Sequence, residues 1–288
     1  MVDARPFADA IGRREVQHDT LDLRQARHMQ LALDQPATLA LGDALPPFWH
    51  YLYFNPQLRA SELAADGHER LGRFLPDMGL PRRMWAGGRV EITRPLRLGQ
   101  AVEKTTTITD IALKEGRSGR LGFVTVTHDF IADGAVCFTE TQNIVYRDLP
   151  SPAAPVRSGA QAPAGAEWSR RVIPDPVLLF RYSALIFYGH RIHYDADYTR
   201  QTEGYPGLVV HGPLTATLLI GFGLEQAAGR RLTAVGLRAT APLFAPDPVI
   251  LEAKPEGDTL VVWARKEDGT LAMTVTLEFA STDQGSRV

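Results

Sequence analysis

The chain has 288 residues, enough for one large or two medium domains, and its 44% hydrophobic and 22% charged residues are ordinary for a globular protein. A net charge of −2 gives no basic field for nucleic acid, and the single cysteine, Cys137, excludes an intrachain disulfide and any multi-cysteine metal site. No apolar run approaches the roughly 20 residues that span a bilayer, and the N-terminus, MVDARPFADAIGRREV, has no apolar signal core, so no membrane partner and a cytoplasmic location are expected.

Leu21 to Leu33 has helical spacing, with Asp19 or Thr20 as the expected N-cap. Ala44 to Phe54, opened by two prolines and rich in aromatics, reads as a second, buried helix. Arg59 to Met78 is polar and Gly-containing, and it reads as an inserted flap. From Arg89 to Tyr146 the residues alternate and are rich in Val, Ile and Thr, which predicts strands, with Asp133-Gly134 as a hairpin turn. Cys137, among Ala135, Val136 and Phe138, reads as a buried, inert thiol. Leu149 to Ala166 holds four prolines and reads as a linker. It divides the chain into a domain at 1–150 and one at 167–288, with the linker proper at 151–166.

The second domain opens on the stretch from Arg181 to Leu219. His190 and His193 sit in a polar loop with Asp195 and Asp197. A Gly/Pro turn follows at Gly204 to Gly207, then an apolar run from Leu208 to Val210, then His211-Gly212-Pro213. Leu214, Leu218 and Leu219 predict a helix there, and Pro213 suits its first turn, where a missing N–H costs nothing. Such a helix start offers unpaired N–H groups and partial positive charge, which can polarise a carbonyl if a catalytic side chain stands opposite. Strand patterns return from Leu232, punctuated at Glu256-Gly257-Asp258 and Asp268-Gly269. The run GRVEITRPLRLG (Gly88 to Gly99) is echoed by VGLRATAPLFAP (Val235 to Pro246). The chain therefore reads as a tandem repeat of an α+β unit, each a long helix followed by an antiparallel sheet, and two such units can pair edge to edge.

HRIHYD followed by EGYPGLVVHGPLTATLL resembles the hydratase motif of the MaoC-like enoyl-CoA hydratases, Gly-Asp-x-Asn-Pro-Ile-His and then Ile-Val-His-Gly at the start of the central helix. LPPFWHYLYF, LPRRMWAGGR, GRSG and TQNIVYRD resemble the degenerate N-terminal hot-dog domain of the mesaconyl-C4-CoA and itaconyl-CoA hydratases. The resemblance covers nearly the whole chain and implies a double hot-dog fold. It also implies that His193 is the catalytic histidine and that the Gly212 N–H binds the thioester carbonyl. Tyr188 stands five residues before His193, where the motif has its catalytic Asp, and His190 and Arg191 stand where it has Asn-Pro. Tyr188, His190 or Asp195 is left to supply the second group.

Hydration of an α,β-unsaturated thioester needs a base for water, an acid for the α-carbon and donors for the developing enolate oxygen. An imidazole and a helix N-terminus meet those needs. The expected activity is hydration, or dehydration in reverse, of a short enoyl-CoA that can carry a second carboxylate. His193 is its acid/base, Gly212 its oxyanion donor and Asp195 or His190 its helper. Arg82 and Arg83, grouped in sequence with Arg89, Arg94 and Arg97 and supported by Arg117 and Arg120, are of the type that binds coenzyme A phosphates. Tyr188, Arg191, His211 and Trp85 complete the expected substrate contacts, although His211 can serve simply to hold the helix-entry turn. Trp49 and Trp85 can equally be core. His190, His193 and His211 are zinc-ligating in type, but the loop presents no regular ligand face, so no metal is expected. No cofactor is implied beyond the coenzyme A of the substrate, and a homo-oligomer is compatible with the sequence. The alternatives are a 3-hydroxyacyl-thioester dehydratase of fatty acid synthesis, a thioester-binding module without activity, and a thioesterase that would release free thiol.

Overall fold

The structure, a computed structural model, describes residues 5–80, 82–116, 119–147 and 159–281. Strand β1 (Arg14–Thr20) runs into helix α1 (Leu23–Ala32). Asp22 caps α1 by accepting the Gln25 N–H at 3.1 Å. The expected caps, Asp19 and Thr20, instead end β1, and Asp19 accepts the Phe54 N–H at 2.7 Å. Four long strands follow: β2 (Arg82–Ile92), β3 (Ala101–Gly116), β4 (Gly119–Ala132) and β5 (Ala135–Arg147). Asp133 and Gly134 close the β4–β5 hairpin with φ of 51° and 72°, as the Asp-Gly pair predicts. Cys137 is buried on β5.

The later residues build β6 (Trp168–Val172), α2 (Pro176–Leu185), α3 (Ala196–Gln201), β7 (Leu208–Val209) and α4 (Gly212–Gln226). The chain then forms β8 (Leu232–Ala239), β9 (Phe244–Ala245), β10 (Val249–Glu256), β11 (Thr259–Lys266) and β12 (Leu271–Phe279). Ten strands make one antiparallel sheet in the order β1-β3-β4-β5-β2-β8-β12-β11-β10-β6, and β7 pairs with β9. The order reads as the same five-strand unit twice, back to back, which is the repeat seen in the sequence. Its centre is visible in the register. Arg89 stands six residues before Pro95 and Gly236 six before Pro242, and these two repeat-equivalent residues face each other across the β2–β8 seam.

The seam needs its two glycines. A Cβ at Gly87 would lie 2.1 Å from the Leu237 carbonyl oxygen, and one at Gly88 would lie 2.0 Å from that of Thr141. Gly87 also has φ +135° at a bulge between β2 and β5.

The halves differ in what fills the concave face of their sheet. Helix α4 is apolar on all sides and lies against β10, β11 and β12, with Leu214, Leu219 and Ile220 in the same core as Leu260, Val262 and Leu277. The matching segment of the first half, Ala44–Phe54, is not the expected helix but a single 3-10 turn at Trp49–Leu52. Pro46 and Pro47 have no N–H to donate, and Phe48 and Phe54 take left-handed φ values of 71° and 57°, so the helical ladder cannot run through. Trp49 is buried in the main core. The flap at Arg59–Met78 has no counterpart after α4, where Gln226 and Leu232 are joined by a short turn. Its Phe74 and Leu75 pack on a second, smaller core with Met78, Leu80 and Ile108. Residues 151–158 of the expected linker lie outside the described residues; just beyond them the Leu271 N–H donates to the Ala160 carbonyl at 2.8 Å.

Gly87→Ala should part the seam and lower the unfolding free energy by about 2–4 kcal/mol. Gly12→Ala, at φ +84° with open space around it, should cost only the left-handed backbone penalty of about 1 kcal/mol. Chemical denaturation of both variants checks this; equal losses would contradict it.

Candidate active site

The site starts from one hydrogen bond. His193 ends a 3-10 turn, Arg191–His193, and its Nδ1 lies 2.7 Å from the Val209 carbonyl oxygen. A carbonyl only accepts, so Nδ1 carries the proton and Nε2 of the neutral ring keeps its lone pair. Burial pushes the His193 pKa down to about 4, against the opposing effect of the Val209 bond. The ring therefore stays neutral at ordinary pH. It stacks on His211 with centroids 3.6 Å apart and planes 17° from parallel. His211 shares a 2.7 Å hydrogen bond with Ser183 on α2 through Nε2. Burial, then the charges of His193 and His190, hold its pKa well below the usual histidine value.

Val209 belongs to β7, and three residues later the chain enters α4 at Gly212-Pro213. His193 and the helix N-terminus are thus fixed to each other through a short, paired strand. Gly212 leaves the helix start open: a Cβ there would sit 3.1 Å from Trp85 Cε3. Both line a cavity of about 900 Å³ that also takes in Tyr188, His190 and Thr215.

The first half supplies the opposite wall. His50 Nε2 lies 2.9 Å from Glu140, Tyr51 donates to the same carboxylate at 2.7 Å, and Gln142 donates to Tyr51 Oη at 2.9 Å. Burial raises the Glu140 pKa, but His50 outweighs it by charge and hydrogen bonding and leaves it at about 2. Lys104 Nζ lies 5.8 Å from the Phe54 ring and 5.9 Å from the Phe130 ring, and burial pushes its pKa below the usual lysine value. These groups occupy the space that the missing helix leaves open, and they too line the cavity.

The structure brings His193, Gly212, His190, Tyr188, His211, Trp85, Arg82 and Arg83 to this cavity and leaves two expected residues out. Asp195 is the N-cap of α3. It accepts the Tyr198 N–H at 3.0 Å and the Arg191 guanidinium at 2.7 Å. Arg191 is held by that ion pair and lies over the Tyr198 ring at 3.9 Å. Neither lines the cavity: the α3 cap and the ion pair hold Asp195 and Arg191 outside it. The arginine cluster also divides. Arg89 pairs with Glu278 at 2.6 Å and 2.9 Å, Arg94 donates to the Ala132 and Ala135 carbonyls, and Arg97 donates to that of Gly42. Arg82 reaches the cavity but donates to the Glu203 carbonyl at 2.7 Å. Arg120 is exposed, and Arg117 lies outside the described residues.

Two residues that the sequence does not single out complete the site. Asp66 and His68, on the flap, line the cavity beside Tyr188 and His190. His68 Nε2 lies 2.5 Å from Tyr188 Oη, and its ring is 3.7 Å from that of His190. No motif marks them; the contact spans two halves of the chain and is set by loop geometry.

Comparison with known proteins gives the family. The family model for hydroxyacyl-thioester dehydratase type 2 matches residues 48–245. The chain belongs to that family. It is 43% identical to mesaconyl-C(4)-CoA hydratase of Chloroflexus aurantiacus over 93% of this chain and 96% of the relative. Among solved structures, a MaoC-like dehydratase from Phytophthora capsici superposes with TM-score 0.71 at 14% identity, covering 97% of this chain and 99% of the other. A Mycobacterium tuberculosis protein described as having a double hot-dog fold superposes at 0.53 and 14% identity, over 93% of this chain and 96% of its own. The fold is the double hot-dog expected from the sequence, and the chain is a hydro-lyase of the hydroxyacyl-thioester dehydratase family. Among the described residues no helix is long and apolar enough to cross a membrane.

The buried neutral histidines make stability depend on pH. An unfolded histidine takes up its proton near pH 6.5, whereas folded His193 does so only at about 4. Between those values the unfolded chain binds more protons, so stability falls as pH drops below about 6.5. His193 and His211 should each add a slope of up to ~1.4 kcal/mol per pH unit. Melting temperatures should therefore fall from pH 7 to pH 5, less steeply in His211→Gln; a flat profile would contradict this.

Proposed function

We propose that the chain hydrates a short, carboxylated enoyl-CoA of the mesaconyl-C4-CoA or itaconyl-CoA type, and dehydrates the product in reverse. The observation that carries the chemistry is the tautomer of His193. Its Nδ1–H is held by Val209, which leaves Nε2 bare, and His193 lines the same cavity as the open helix start at Gly212. His193 takes a proton from water as the water oxygen bonds to the β-carbon. The electron pair moves toward the thioester oxygen, which the Gly212 N–H and the α4 dipole stabilise. The proton then passes from His193 to the α-carbon. The reaction is redox-neutral, so the reading calls on no cofactor beyond the coenzyme A of the substrate. It assigns Arg83 to the phosphates or carboxylate of the ligand and the cytoplasm as the place of work.

The acyl group is the finer part of the proposal. The relative at 43% identity is named for mesaconyl-C(4)-CoA. The first-half wall supports a short polar acyl chain over the long fatty chain of the alternative reading, because Lys104, Glu140, His50 and Tyr51 line it. The Lys104 ammonium lies there beside two aromatic rings, and a long alkyl chain laid on it would desolvate that charge without pairing it, at a cost of several kcal/mol.

A panel of enoyl-CoAs checks both parts. Mesaconyl-C4-CoA or itaconyl-CoA should give a higher kcat/KM than crotonyl-CoA, and long-chain enoyl-CoAs the lowest; a preference for long chains would favour the fatty-acid dehydratase reading. No free thiol should appear. His193→Ala should lower kcat by about 10² or more while the protein stays folded. In the wild type, activity should fall only as pH drops through about 4, where the base becomes protonated. A folded His193→Ala with near-wild-type hydration would sink the mechanism and leave a binding module.

A further inference from the structure

The hydrogen-bond chain that ends on Tyr188 starts in the other half of the molecule. Asp66 Oδ2 lies 2.9 Å from His68 Nδ1, and Asp66 Oδ1 accepts the His68 backbone N–H at 3.0 Å. The flap is pinned in place there: the Arg191 N–H donates to the Asp66 carbonyl at 2.9 Å. A Cβ at Gly67 would lie 1.9 Å from the Gly189 carbonyl oxygen, so only glycine lets the two loops approach this closely.

Donor and acceptor roles follow in sequence. Burial raises the Asp66 pKa, but the hydrogen bonds that His68 donates, joined by its charge when the ring is protonated, outweigh it and leave the carboxyl well below its usual range. An ionised carboxylate only accepts, so His68 Nδ1 carries the proton. Burial, as the largest effect, pushes the His68 pKa down, and in the neutral ring Nε2 is bare. Tyr188 must then donate its hydroxyl proton to His68 Nε2 across the 2.5 Å contact. The remaining lone pairs of Tyr188 Oη are left as acceptors in the cavity. The Tyr188 ring lies 5.9 Å from that of His193, whose Nε2 is the second acceptor.

We propose that Asp66 and His68 are positioning residues that fix the Tyr188 hydroxyl as an acceptor, so that Tyr188 Oη and His193 Nε2 together hold the nucleophilic water by its two hydrogens. This rests on the hydratase reading above. In the step itself the water O–H bond to the His193 side breaks, the C–O bond forms at the β-carbon, and the same proton passes from His193 Nε2 to the α-carbon. The other water hydrogen stays on the new hydroxyl group, still directed at Tyr188. Tyr188, His68 and Asp66 end as they began, with no proton gained or lost. The arrangement gives the second-half histidine its partner from the first half, in the place of the Asp195 or His190 helper.

The donor atoms of Asp66, His68 and His190 also lie within 4.8 Å of one another, a spacing that a metal ion could bridge. A bound metal would take the histidine nitrogens that the proposal assigns to hydrogen bonds, so the test must separate the two.

The experiment is a kinetic cycle on the full chain with the best enoyl-CoA from the panel, using His68→Gln, Asp66→Asn, Tyr188→Phe and the double variant His68→Gln/Tyr188→Phe. The proposal expects His68→Gln and Tyr188→Phe each to lower kcat by about 10–100-fold, with KM within about 2-fold, and Asp66→Asn to fall between these and wild type. It expects the double variant to match Tyr188→Phe, because His68 acts only through that hydroxyl. Losses that multiply in the double variant, or that appear in KM and melting temperature rather than kcat, would overturn it and leave His68 as a flap anchor. So would zinc near one per chain in the purified protein that is lost in Asp66→Asn. Failure of the hydratase reading is a separate result, seen as no turnover of any enoyl-CoA by the wild type.

Discussion

The seam between β2 and β8 is the constraint on which everything else depends. Five residue pairs, from Gly87↔Arg238 to Glu91↔Ala234, join two five-stranded units into one sheet. The join works because Gly87 and Gly88 let three backbones crowd together. The cavity straddles that join, and neither half can form the site alone. The second half brings His193 and the helix N-terminus. The first half brings Trp85 against Gly212, the polar wall around Glu140, and the flap that reaches Tyr188.

The two halves differ by one helix, and the division of labour follows that difference. In the second half α4 fills the concave face of its sheet, with Gly223 close against Val262 and Leu277. In the first half the prolines and left-handed residues around Phe48 stop the helix. A substrate cavity opens where the core would have been. Opening a core exposes polar groups that must then be satisfied, and the His50–Glu140–Tyr51–Gln142 network does this with four partners inside hydrogen-bond range.

The repeat, the strands and the His loop are legible in the sequence because they are periodic or local. The Pro-Leu echo, the Asp-Gly hairpin and the Pro at the start of α4 each follow from a rule acting over a few residues. Hydrophobic periodicity misreads Ala44–Phe54 because it counts apolar side chains and is blind to φ at Phe48. Asp195 looks like a catalytic partner because it is charged and near His193. The signals against that role are also local: it stands directly before α3, where an aspartate caps, and four residues after Arg191, where it pairs. Asp66 and His68 carry no such signal. Their contact with Tyr188 depends on a tight loop approach at Gly67, and nothing in a linear pattern encodes which distant loop that glycine will touch.

In the proposed mechanism the low basicity of His193 bears on how the water reacts. Water that lost its proton completely before attack would transfer it from a group of pKa about 15.7 to one of about 4. A gap of about 12 pKa units is about 16 kcal/mol. A turnover of about 10 per second corresponds to a whole barrier of about 16 kcal/mol. Prior deprotonation would therefore use the entire barrier and leave nothing for carbon–oxygen bond formation. In the proposed mechanism the proton therefore leaves water as the C–O bond forms, while the helix start at Gly212 would take up the charge that moves to the thioester oxygen. A concerted step of this kind demands that water, base and carbonyl be placed together before reaction. The rigid link from His193 through Val209 into α4 supplies that placement.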